Sequence, residues 1–146
     1  MPDAIRSKIM RSIPGKNTRP ELLIRRELHK AGFRFRKHYK TLKGKPDIVL
    51  PKHSAIVLVN GCFWHGHECH IFRKPRQSEW REKIEGNKAR DAANIECYKS
   101  LGWKVLEVWE CAIQGKTSLP LSELVAVISN WIQFDTMSAE ITGRPR

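Results

Sequence analysis

The chain has 146 residues, 40% of them apolar and 29% charged, enough for one globular domain and unlike a disordered or fibrous protein. Its longest aliphatic run, Ala55-Ile56-Val57-Leu58-Val59, is too short to span a bilayer, and the first twenty residues hold no apolar signal segment, so a cytoplasmic protein with no membrane partner is expected. The net charge of +12 is lopsided, with fourteen Lys and Arg against four Asp and Glu in positions 1–50, nine against six in 51–100 and four against five thereafter.

In chain order, residues 1–18 read as a basic arm or short helix, with Arg6, Lys8, Arg11 and Lys16 placed around Ile5, Ile9, Met10 and Ile13 and ended by Pro14-Gly15. Thr18-Arg19-Pro20-Glu21 has the form of a capping box with Pro in the first turn. The helix it opens runs to about Ala31, carries Ile24, Leu28 and Ala31 on one face and stops at Gly32. Phe33–Tyr39, Pro46–Leu50 and Ala55–Val59 read as strands, the last two joined by a polar hairpin around Pro51-Lys52-His53-Ser54. After a loop rich in His and Cys, Ser78 caps a long helix to about Leu101, with Gly102 as its stop. Trp103–Trp109 is a strand in which Lys104 and Glu107 interrupt the apolar residues, with Glu110 just beyond. Leu121, Leu124, Val125, Ile128, Trp131 and Ile132 mark an amphipathic helix, and the tail, 135–146, reads as loose. Helix, three strands, helix, strand, helix is an α/β pattern: a single domain over 19–134 with a mixed β-sheet flanked by helices.

The basic N-terminal third fits a polyanion partner, nucleic acid foremost, held through counterion release; a merely solvated basic surface is the alternative. The four cysteines, Cys62, Cys69, Cys97 and Cys111, point to metal or buried thiols before disulfides. Gly61-Cys62-Phe63-Trp64-His65-Gly66-His67-Glu68-Cys69-His70 packs two thiols and three imidazoles into one loop after a buried strand. Zn²⁺ takes four thiolate or imidazole ligands, of which Cys62, Cys69 and one of these histidines would give three, with Cys97 or Cys111 as the fourth. Cys111 follows a strand end, whereas Cys97 is mid-helix and reads more simply as a small buried hydrophobe. Phe63 and Trp64 either insert between DNA bases or cover the metal site. Asp47, at the start of an apolar strand, and Glu21, on the core-facing side of its helix, could converge on Mg²⁺; for Glu21 the plain reading is the N3 carboxylate of a capping box. A Ser-His-Asp triad and a Walker loop are both absent.

Together, Thr18–Glu21, Lys45-Pro46-Asp47-Ile48-Val49, the Gly61–Cys69 loop and Gly102-Trp103-Lys104-Val105-Leu106-Glu107-Val108-Trp109-Glu110-Cys111 resemble the very short patch repair (Vsr) DNA mismatch endonucleases, over about residues 6–133. The resemblance implies a restriction-endonuclease-like core, a structural Zn²⁺ site and an Mg²⁺-dependent nick beside the thymine of a T·G mismatch left by deamination of 5-methylcytosine. It further implies Asp47 and the backbone carbonyl of Val59 as Mg²⁺ ligands, His65 as a catalytic histidine oriented by Glu21, and Cys62, His67, Cys69 and Cys111 as Zn²⁺ ligands. DNA contacts are implied for Met10, Phe63, Trp64, Trp80, Lys83 and Asn87. The implied partner is mismatched double-stranded DNA in the nucleoid, engaged by a single subunit, with mismatch-repair proteins as possible associates.

The family carries a histidine immediately before the Gly-Cys-Phe-Trp loop, where this chain has Asn60. Asparagine donates and accepts hydrogen bonds but does not titrate as imidazole does. If that position supplies the general base, nicking would be weakened, since such help is typically worth ~10²–10⁴ in rate; if His65 does that work, Asn60 merely positions water or phosphate. The competing expectation is a catalytically impaired, zinc-containing protein that binds distorted duplex. A third is a nuclease of related fold that cuts ordinary DNA or another lesion.

Overall fold

The computed structural model describes residues 18–36, 39, 41–44, 46, 48–67, 69 and 78–144. The expected basic arm with Met10, and Asp47, lie outside the described residues. Helix α1 (Arg19–Lys30) opens as the capping box its sequence predicts: Thr18 Oγ1 accepts from the Glu21 N–H at 3.4 Å and the Glu21 carboxylate accepts from the Thr18 N–H at 3.3 Å. Two of the donors that a helix start leaves without partners are thereby satisfied. Gly32, at φ +100°, supplies the left-handed turn that ends the helix.

The remaining elements are β1 (Ile48–Leu50), a 3₁₀ turn at Pro51–His53, β2 (Ala55–Asn60), α2 (Ser78–Ser100), β3 (Lys104–Trp109), α3 (Glu110–Ile113), α4 (Leu121–Phe134) and β4 (Ala139–Ile141). The strands lie side by side in the order β1-β2-β3-β4, with β1 antiparallel to β2 and β2, β3 and β4 mutually parallel. This is the mixed sheet flanked by helices that the element pattern predicts, and α2 is the crossover that parallel pairing of β2 and β3 requires.

Strand periodicity divides the core between two faces. Ile48, Leu50, Ala55, Val57, Leu106 and Val108 bury one face against Ile24 and Leu28 of α1 and Leu124, Ile128, Trp131 and Ile132 of α4. On the other face Val49, Ile56 and Val105 pack with Leu42 and with Tyr98 of α2. Lys104, which breaks the apolar run of β3, ends α4: its Nζ donates to the carbonyls of Trp131 (2.9 Å) and Ile132 (2.7 Å) and lies over the Trp131 ring. A cation at a helix C-terminus satisfies orphan carbonyls and complements the dipole.

Two expectations are corrected. Phe33–Tyr39 forms no strand among the described residues; it contributes one bridge, in which Arg36 and Val49 exchange hydrogen bonds of 2.8 and 3.1 Å. The Tyr39 N–H reaches the Pro46 carbonyl at 3.0 Å, but proline has no N–H to return. The described part of the tail, 135–144, is not loose, because β4 pairs with Leu106–Val108. The approach to β4 is fixed as well: Ser138 Oγ accepts from the Val105 N–H at 2.9 Å and Trp131 Nε1 donates to the Met137 carbonyl at 2.9 Å. Among the described residues no helix is long and apolar enough to cross a membrane.

Candidate metal centre and active site

Both centres grow from the end of β2. The chain leaves the sheet at Asn60 and folds into a tight loop in which the N–H groups of His65, Gly66 and His67 bond the carbonyls of Gly61 (3.2 Å), Phe63 (3.2 Å) and Cys62 (2.9 Å). Gly66 is required there: at φ +62° a Cβ would lie 2.8 Å from Lys88 and 2.9 Å from Ile84. Glu110, the first residue of α3, ties the loop to the end of β3 by accepting from the Cys62 N–H at 3.1 Å, and it is itself held by Gln114 at 2.7 Å.

This loop and the β3–α3 junction bring Cys62, His67, Cys69 and Cys111 together, with their ligand atoms all within 4.8 Å of one another. His67 Nδ1 lies 3.5 Å from Cys62 Sγ and 3.7 Å from Cys111 Sγ. Those spacings match the ~3.6 Å between neighbouring ligand atoms of a tetrahedral thiolate–imidazole site. Burial pushes the thiols of Cys62 and Cys111 upward in pKa, and the Cys69 thiol adds to the rise for each. A divalent cation among them would reverse that balance, because a coordinating thiol is deprotonated outright. The donor set therefore fits a metal ion. The imidazole of His67 stacks on Trp109 at 4.2 Å, and the Gly143 N–H, just beyond β4, donates to Cys111 Sγ at 3.2 Å. Outer contacts of this kind orient ligands and tune thiolate sites. Cys97 lies half-buried on α2, outside the cluster.

Two residues before His67, His65 faces α2 and its Nδ1 is held by a hydrogen bond to the Asp91 carboxylate. A carboxylate on Nδ1 fixes the tautomer and the orientation of the ring. On the same sheet face, Asn60 Nδ2 donates to Glu107 Oε1 at 3.3 Å. Burial raises the Glu107 pKa, and the nearby charges of Glu140 and Asp91 add to the rise. Two rings of the same loop form a row with one of α2: Phe63 meets Trp64 edge-on at 5.2 Å, Trp64 tilts on Trp80 at 5.9 Å, and Lys83 Nζ sits 4.9 Å over Trp80. Asn87 Nδ2 anchors the row by donating to the Trp64 carbonyl at 3.0 Å.

Most residues singled out in the sequence thus lie around one strand end. Phe63 and Trp64 are half-buried, whereas Trp80 is buried. Val59 is half-buried in β2, and Glu21 is buried on α1, a helix on the opposite face of the sheet from α2. Asp91, Glu107, Glu110 and Gly143 were not singled out as site residues. A signal for Asp91 was present: Trp80, Ile84, Asn87, Asp91, Asn94 and Tyr98 follow helical spacing, apolar at both ends and polar in the middle, where the stripe faces the loop.

A histidine held at Nδ1 by a carboxylate, beside a row of rings on a chain of net charge +12, suits chemistry on nucleic acid. Residues 2–71 match the family model described as DNA mismatch endonuclease Vsr. The chain is 46% identical over 116 residues to the type II nicking enzyme V.XorIIP of Xanthomonas oryzae pv. oryzae, covering 78% of this chain and 85% of the relative. Against the DNA mismatch endonuclease Vsr of Escherichia coli K12 the identity is 39% over 140 residues, covering 94% and 90% of the two chains. The type II nicking enzyme V.NmeAIP of Neisseria meningitidis is 44% identical over 113 residues, 76% of this chain and 81% of its own. The chain belongs to the Vsr family and is a DNA endonuclease.

Proposed function

We propose that this protein nicks one strand of duplex DNA beside the thymine of a T·G mismatch, as the first step of a short-patch repair that acts on chromosomal DNA in the cytoplasm. The observation that carries the reading is the Gly61–His67 loop, which presents a carboxylate-held histidine and an aromatic row from one strand end. His65 Nε2 takes a proton from a water molecule as its oxygen attacks phosphorus, and the 3′ oxygen leaves. Asp91 holds the imidazole at Nδ1, and Glu21, which closes the capping box with Thr18, is the second carboxylate that the resemblance links to the histidine. Asp47 and the Val59 carbonyl would hold Mg²⁺, which when bound stabilises charge developing on the phosphate and the leaving oxygen. Phe63 and Trp64 enter the base stack, with Trp80 and Lys83 behind them, and a mismatch is cheaper to unstack than a paired step. Met10 and Asn87 are the further DNA contacts. The Cys62, His67, Cys69 and Cys111 cluster holds Zn²⁺ as a structural staple that keeps the loop on the end of β3.

A labelled T·G duplex incubated with the protein and Mg²⁺, run beside the matched duplex on a denaturing gel, tests this. One-strand cleavage confined to the mismatch is expected, and it should disappear in Asp47→Ala with duplex binding retained. Equal cleavage of both duplexes would refute the mismatch reading. Binding without cleavage would leave a protein that only recognises distorted DNA.

A further inference from the structure

Asn60 is 7% exposed, and its side-chain amide donates from Nδ2 to Glu107 Oε1 at 3.3 Å. An ionised carboxylate can only accept, so the amide must turn its NH₂ toward Glu107. The carbonyl end, Oδ1, is then fixed on the opposite side with no hydrogen-bond partner among the described residues. A buried acceptor left unmatched costs roughly 1–3 kcal/mol, so the fold retains it at a price that a ligand with a proton to donate would recover. Asn60 stands at the last position of β2, and Glu107, in register with Leu58, lies on the same face within the electrostatic reach of His65 and Asp91.

We propose that Glu107 is a positioning residue which locks the Asn60 amide so that Oδ1 accepts a hydrogen bond from the attacking water, holding that water while His65 takes its other proton. The assignment rests on the endonuclease reading above. An acceptor of this kind cannot bind an anionic phosphate oxygen, which has no proton to give, and water is the donor that hydrolysis brings to the site. Asn60 thereby supplies orientation without titrating, and Glu107 acts only through Asn60.

The test is a cycle of single-turnover nicking rates on a mismatched duplex with Mg²⁺, read together with the Kd for that duplex, metal content and melting temperature. Glu107→Gln can offer either an oxygen or an NH₂ to Asn60, so it unlocks the amide. The nicking rate should fall roughly 10–100-fold while the Kd stays within about twofold. In an Asn60→Ala background, Glu107→Gln should have no further effect. Asn60→Asp places two carboxylates against each other and should be slow; the swap Asn60→Asp with Glu107→Gln restores a donor facing an acceptor and should recover most of the rate. In the DNA-free protein the Asn60 side-chain NH₂ should be protected from hydrogen exchange, and that protection should vanish in Glu107→Gln. If Glu107→Gln slows nicking equally with and without Asn60, or leaves the rate unchanged, Glu107 is not acting through Asn60. If the swap stays slow although folded and metal-loaded, the orientation argument is wrong. A parent chain that binds but never nicks removes the endonuclease reading and this one with it, an outcome distinct from both.

Discussion

Replacing Gly143 with alanine adds one methyl group where the C-terminal segment touches the metal cluster. Its Cβ would lie 2.4 Å from Thr117 Oγ1, 2.5 Å from the Cys111 carbonyl oxygen and 2.9 Å from the Cys111 carbonyl carbon. Two of those atoms are backbone and cannot swing aside, so the segment must retreat. Retreat breaks the Gly143 N–H bond to Cys111 Sγ at 3.2 Å. A hydrogen bond to a charged acceptor is worth about 1.5–3 kcal/mol, and outer-contact changes around metal ligands typically cost 10–100-fold in affinity. The two figures agree, since a factor of ten is about 1.4 kcal/mol. Zn²⁺ affinity, measured by competition with a chromophoric chelator, should therefore drop 10–100-fold in Gly143→Ala. Gly86→Ala is the control: Gly86 lies within α2 with nothing within 4 Å of the added Cβ, and that change should raise stability by about 0.5–1 kcal/mol at unchanged Zn²⁺ affinity. Unchanged affinity in Gly143→Ala would refute the tether.

Further outcomes follow from the same geometry. Cys111→Ser should lower metal stoichiometry and loosen the domain, whereas Cys97→Ser, outside the cluster, should retain full metal by elemental analysis. Lys104→Met keeps the packing on Trp131 but leaves the last carbonyls of α4 without their cation; a loss of about 1–2 kcal/mol in urea unfolding is expected. Glu107 gives a pH signature. Its carboxyl is raised above the ordinary value by burial and by Glu140 and Asp91, so its contribution to stability is full below the ordinary carboxylate value. That contribution is lost as pH rises through the raised folded value, so the stability of Glu107→Gln relative to the parent chain should increase with pH across that window, as thermal melts at stepped pH would reveal.

The three long helices, α1, α2 and α4, and the two central strands were legible from repeating cores and end signals, whereas the four-residue α3 was too short to show a period. Ile24 with Leu28 and Leu124 with Ile128 follow helical spacing, and the chain turns left-handed at Gly32 and Gly102, the two predicted helix stops. The metal set was legible by ligand density in one loop, although choosing Cys111 over Cys97 needed the family likeness, since residue types alone do not say which strand end meets which loop. β4 was invisible because three residues are too few for a period, and Phe33–Tyr39 looked like a strand because aromatic and long side chains alternate there regardless of pairing. Glu107 and Lys104 were visible only as interruptions of an apolar strand. Their partners, Asn60 and the last turn of α4, are 47 and 27–28 residues distant in sequence, and no local pattern joins such pairs.

The pairing of β4 has a practical corollary for anyone handling the protein. A stop codon after Phe134 would look harmless on hydropathy alone, yet it would strip β3 of its neighbour and withdraw the amide that steadies a cysteine sulfur. A C-terminally trimmed preparation that loses its metal should be blamed on the trimming before the chelator.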